Sequence, residues 1–126
     1  MTGLDLRSTY LHLTDALDVD GVPVEQDFWS RIGERTELHD GRLMMVCPET
    51  ETWTQWECHP SGDEVVMMLT GCLELVFDRP DGEQSLTLKP HEAIVVPRGV
   101  WHRGIVHEVG TALFITPGKG TEYRPV

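Results

Sequence analysis

From residue 41 onward the chain is a series of short apolar or alternating runs, each cut off by turn chemistry. The runs fall at 42–47, 51–59, 64–69, 72–77, 84–88, 92–97, 101–106 and 111–116. Ser61-Gly62-Asp63, Pro80-Asp81-Gly82, Pro97-Arg98-Gly99 and Glu108-Val109-Gly110 supply the breaks. Glycine there tolerates positive φ, proline presets φ, and aspartate bonds its own backbone. Asp81-Gly82 is the strongest hairpin signal of the set. About eight strands at regular spacing, with no helix between them, predict an all-β sandwich or barrel.

One helix is expected ahead of the strands. After a turn at Asp20-Gly21 and Pro23, the residues Val24, Phe28, Trp29 and Ile32 fall at helical spacing, and Gly33 follows as a stop signal. No repeat, low-complexity tract or linker divides the 126 residues, a length suited to one domain. The expected organisation is an N-terminal arm and helix over 1–40, packed on a barrel over 41–120.

Charge narrows the partners. A formal net charge of −11 repels phosphate backbones and anionic lipid, so neither nucleic acid nor a membrane surface is expected. The apolar fraction of 40% and charged fraction of 25% are those of an ordinary globular protein. The N-terminus has no basic segment leading into an apolar run, and nothing approaches bilayer length, so a cytoplasmic protein is expected. Cys47, Cys58 and Cys72 lack C-x-x-C spacing and read as reduced, packed thiols.

The chemistry gathers around two turns. In the strand ending at His59, side chains alternate with period two, so Glu57 and His59 share a face. The turn at 61–63 then brings Glu64, at the head of the next strand, back to where His59 ends the previous one. A third contributor, His102, follows the Pro97-Arg98-Gly99 turn, whose geometry can aim a side chain inward. Two imidazoles with one or two carboxylates make a donor set suited to one divalent Fe, Mn, Ni or Zn ion and poor for Cu(I).

These two segments resemble the two motifs of the cupin superfamily. The first motif is a histidine, any residue, a histidine, three or four residues, a glutamate, six residues and a glycine. It is matched by Glu57-Cys58-His59, then Glu64, then Gly71. The second is a proline, any residue, a glycine, two residues and a histidine, matched by Pro97, Gly99 and His102. The resemblance covers residues 51–106 and implies a jelly-roll barrel, a double-stranded β-helix, with His59, Glu64 and His102 as metal ligands. Glu57 stands where the family has histidine, Glu51 and His91 stand where it has glycines, and Val106 replaces a frequent asparagine. If Glu57 coordinates, the site holds two histidines and two carboxylates whose charges cancel a dication. If it does not, His59, Glu64 and His102 form a two-histidine, one-carboxylate triad, and Glu57 is free as an acid or base. Coordination is the expectation, since a carboxylate one ligand length from a dication is strongly attracted to it.

The other conspicuous residues have blander readings. Trp53 and Gln55 share the parity of Glu57, which makes Trp53 a pocket candidate, whereas Trp56 and Cys58 point the other way. One methionine of each pair, Met44-Met45 and Met67-Met68, faces inward. His12, His39, His91 and His107 are expected on the surface, and Glu49 and Glu51 at a solvated strand end. Arg103 should point away from His102, leaving Arg98 as the weak candidate for an anionic group.

The function expected is a metal-dependent enzyme acting on a small organic molecule inside the barrel, of dioxygenase, isomerase or cyclase type. The alternative is a non-catalytic small-ligand-binding or sensor domain. The resemblance also implies a homodimer, formed through sheet faces or an exchanged N-terminal strand, with residues 8–13 as the candidate arm.

Overall fold

A computed structural model describes residues 1–126. Nine strands form in chain order. They are β1 (Thr9–Leu13), β2 (Val19–Pro23), β3 (Arg42–Glu49), β4 (Gln55–Cys58), β5 (Glu64–Arg79), β6 (Gly82–Leu88), β7 (Ala93–Val96), β8 (His102–Pro117) and β9 (Glu122–Pro125). Between β2 and β3 lie one turn of α-helix, α1 (Phe28–Arg31), and two 3-10 turns, Ile32–Glu34 and Thr36–Leu38. The all-β prediction with a short N-terminal helix is met.

Two long strands organise the rest. β5 and β8 pair antiparallel from Val65↔Ile115 to Phe77↔His102, with the register broken between Met68 and Leu73. At that break each strand bends and passes from one sheet into the other. The first sheet runs β2-β1-β3, then the C-terminal half of β8, the N-terminal half of β5, and β7. The second runs β9-β4, then the N-terminal half of β8, the C-terminal half of β5, and β6.

The bend corrects the sequence reading, which cut each long strand in two. Glu108-Val109-Gly110 does not end a strand, and neither does Gly71; both segments are corners inside continuous strands. Gly71 has φ +80, and a Cβ on Gly110 would lie 2.1 Å from the Thr70 carbonyl oxygen. The glycines permit two backbones to cross closely at a bulge, which is how a strand turns a corner without losing its ladder.

Further differences lie near the N-terminus. Asp20-Gly21 is not a turn but the middle of β2, paired with His12 and Leu11; the reversal is at residues 14–18, where Leu17 takes φ +70. The helix expected from Val24 begins only at Phe28 and tightens to 3-10 geometry at Ile32. It has no side-chain cap at Asp27, and its stability comes from Phe28 buried against Tyr10 and Trp29, with ring centroids 5.4 and 5.1 Å apart. β1 pairs with β2 and β3 of its own chain.

The core sits between the sheets. Val66, Met68, Leu73, Leu75 and Ala112 have no exposed surface at all. They fill the interior on one side of the bend in β5 and on the other, so hydrophobic burial holds the sheets together through the same two strands that connect them.

Candidate metal centre

At the mouth of the barrel a cavity of about 820 Å³ opens between the sheets. Its apolar wall comes from Leu43, Met45, Trp53 and Phe114, and Trp29 and Ile32 of the helical segment close one side. Glu57, His59 and Glu64 line the cavity, and His102 is packed behind them, fully buried.

Glu57 and His59 face inward from the end of β4, as strand parity requires, while Trp56 and Cys58 are buried on the other side. The 61–63 turn returns the chain so that Glu64, the first residue of β5, sits beneath His59. His102 opens β8 directly opposite Glu57 in the ladder. Gly99, at φ +74, gives its N–H to the His59 carbonyl and so ties the second turn to the first. Glu64 belongs to the first sheet; Glu57 and His102 belong to the second.

The two imidazoles and Glu64 are almost wholly buried, at 3% exposure for His59, 2% for Glu64 and 0% for His102. Glu64 Oε2 lies 3.2 Å from His59 Nε2, and Glu64 Oε1 lies 3.2 Å from His102 Nε2. Glu57 is more open and more distant, with Oε2 3.9 Å from His59 Nε2. Donor atoms of Glu57, His59 and His102 all lie within 4.8 Å of one another, close enough to share a metal ion.

A second layer fixes these groups. Thr116 donates to Glu64 Oε2 at 2.6 Å, and His59 Nδ1 hydrogen-bonds Thr121 Oγ1 at 2.9 Å. His102 Nδ1 lies 3.0 Å from the Val100 carbonyl oxygen. A carbonyl can only accept, so a ring proton of His102 sits on Nδ1, and Nε2 is directed at the site. Despite this support, His59 Nε2, Glu64 Oε1 and His102 Nε2 have no hydrogen-bond partner, although all are sealed from solvent.

The electrostatics follow from that crowding. Burial opposes ionisation of Glu64, but the imidazoles of His102 and His59 outweigh it and hold the carboxyl down at about 2. Burial lowers the proton affinity of His102, yet the Glu64 carboxylate more than compensates and the net direction is upward. Glu57 is shifted up by burial first and by the Glu64 charge second.

Some residues fall elsewhere than expected. Glu49 is not a solvated strand end: at the close of β3 it faces the cavity, 7% exposed, and accepts the Trp53 indole N–H at 2.9 Å. Burial pushes its carboxyl up to about 7 against the pull of that indole. Parity along β3 would have found it, because Leu43, Met45, Cys47 and Glu49 alternate inward together. His12 is buried rather than superficial, with Nε2 2.8 Å from the Asp40 carbonyl oxygen, and His39 reaches the cavity wall. Arg98 does not reach the cavity; its backbone N–H binds Asp63 at 2.8 Å, outside it. Arg103 points away, as expected, and lies over Trp56. Trp53 does line the pocket, seated flat on Gly104, where a Cβ would come within 2.7 Å of the indole. Tyr123 from β9 lines it too and gave no sequence signal.

Comparison with family models and with curated proteins yields no match. Among solved structures, a cupin-2 domain protein from Shewanella frigidimarina is similar at 27% identity and TM-score 0.52, over 61% of this chain and 71% of that one. Oxalate oxidase in complex with the substrate analogue glycolate is similar at 18% identity and TM-score 0.54, over 65% of this chain but only 45% of that one. Fe(II)-HppE with an alternative substrate gives 11% identity and TM-score 0.52, over 60% and 42%. The chain has the fold of the cupin superfamily, with two histidines and two carboxylates gathered at the mouth of its barrel.

Proposed function

We propose that Glu57, His59, Glu64 and His102 hold one divalent Fe, Mn, Ni or Zn ion, and that the protein is a metal-dependent enzyme acting on a small organic molecule in the cavity. The observation that carries this reading is the set of three buried, unpartnered atoms converging on one point. His102 Nε2 and Glu64 Oε1 face each other at 3.2 Å without a well-directed hydrogen bond, and a cation between them would satisfy both. Ligands about 2.0–2.1 Å from a tetrahedral ion stand roughly 3.3 Å apart, and both Glu64 separations, at 3.2 Å, suit that spacing. The hydrogen bonds of His59 to Thr121 and His102 to Val100 are the outer supports that metal-binding imidazoles require.

Bound there, a dication supplies a Lewis acid for a substrate oxygen or an activated water or dioxygen. The chain's own residues do the rest. Glu64, held by Thr116, keeps the two imidazoles apart. Glu57, the more exposed carboxylate, stands on the side from which a substrate enters. Trp53, Met45 and Phe114 exclude water from the wall. The three free cysteines fit a reducing compartment, which supports the cytoplasmic expectation. The homodimer is supported by the free edge of β2, where Val19 is exposed.

The test is elemental analysis of protein purified without chelator. One transition-metal ion per chain is expected in the wild type and none in His102→Ala. Unchanged metal in His102→Ala and His59→Ala would overturn the proposal; full stoichiometry and affinity in Glu57→Ala would remove that residue alone. Oxygen uptake by the Fe(II)-loaded protein separates oxygenase from isomerase or hydrolytic chemistry.

A further inference from the structure

The fixed charge inside the cavity is mainly negative. Glu49, Glu57 and Glu64 reach it from three strands, whereas no arginine lines it, and its one lysine, Lys119, is fully at the exposed rim. Arg98, inside the second motif, does not reach the cavity, and Arg103 and Arg124 are engaged elsewhere, on Trp56 and on Asp78. A dication held as proposed above is already balanced by Glu57 and Glu64, so it leaves no excess positive charge for an anionic ligand.

Glu49 is the polar group left over. Its Oε2 takes the Trp53 indole N–H, and Trp53 is itself locked by a backbone hydrogen bond to Gly104 and by lying on that glycine. Oε1 has no partner within the protein, while Leu43, Met45 and Phe114 make the neighbouring wall apolar. A carboxyl fixed at one oxygen, with the other free of any protein partner and not sealed from solvent, can accept from a donor that enters the cavity.

We infer that the cavity selects a largely apolar small molecule without negative charge, whose hydroxyl or amine donates to Glu49, and that it rejects carboxylates of the same size. The inference rests on the metal-centre reading for the charge balance and on Glu49 and Trp53 independently of it. An ionised Glu49 repels an anion; a protonated one offers it a single hydrogen bond but no countercharge.

The test uses the zinc-loaded full chain and a matched pair of probes, 2-naphthalenemethanol and 2-naphthoate, in equilibrium dialysis. The alcohol should bind at least about tenfold more tightly than the carboxylate, the value of one hydrogen bond kept or lost. Glu49→Leu should weaken the alcohol by about tenfold and narrow its advantage over naphthoate. Glu49→Gln, which keeps an acceptor of the same shape, should hold the alcohol within about threefold of wild type. Equal or tighter binding of naphthoate, no binding of the alcohol, or indifference to Glu49→Leu would each overturn the inference. Zinc content is measured in the same samples. If no zinc is held, the metal reading fails, and dialysis of the metal-free chain still judges this one, because uncompensated carboxylates should widen the preference for the alcohol.

Discussion

The two ends of the barrel are equally buried and opposite in what burial does. At the closed end Val66, Met68, Leu73 and Leu75 are sealed among apolar neighbours, and each removes hydrocarbon from water at a gain of roughly 1.5–3 kcal/mol. At the mouth His59, Glu64 and His102 are sealed to the same degree, yet three of their polar atoms have no partner. An unsatisfied buried polar group costs about 1–3 kcal/mol. One end therefore supplies the stability that the other consumes, and the consuming end is the candidate site.

The contrast can be broken by substitution. Met68→Ala at the closed end should lose about 2–5 kcal/mol in a urea titration while leaving metal content per folded chain unchanged. A loss of metal affinity there would mean that the two ends are not separable. Thr121→Val at the mouth should do the reverse, lowering zinc affinity about 10- to 100-fold through His59 with little change in the urea midpoint.

Glu49 sharpens the same contrast through pH. Burial holds its carboxyl up at about 7 in the folded chain, above the usual 4.5 of a glutamate. The folded state therefore keeps a proton that the unfolded state has released, and stability falls as pH rises from about 4.5 to about 7. Glu49→Gln should match wild type near pH 4 and exceed it by about 1–2 kcal/mol at pH 8; a constant difference across that range would exclude a buried titrating group. The smallest effect is expected outside the barrel wall. There Arg124 stacks on Trp101 at 4.5 Å and on Trp56 at 5.4 Å, and Arg124→Ala should cost no more than about 1 kcal/mol in thermal unfolding.

The legibility of the sequence follows the same division. Strand parity placed Glu57 and His59 on one face, and turn chemistry placed Glu64 and His102 beside them, because both are local rules of backbone geometry. The bends at Gly71 and Gly110 were misread as breaks, since a glycine in an apolar run looks the same whether the chain stops or turns a corner. Glu49 was missed because its charge was weighed above its parity with Leu43, Met45 and Cys47, and nothing local shows what covers it. Its partner is Trp53, but the glycine that seats Trp53 is Gly104, far along the chain. The edge strands β2 and β9 have mostly exposed residues, so their hydrophobic pattern is weak, and they form because β1 and β4 offer them free edges.

Because β5 and β8 change sheets at their midpoints, the mouth of the barrel is a seam. Glu64 and Thr116 come from one side of it, and Glu57, His59 and His102 from the other. An ion gripped across the seam would act as a rivet, and the two sheets would part there first when it is drawn out. The closed end, continuous through the bent strands, would stay shut, so that loading and unloading of the ion would work the protein like a purse hinged at its base.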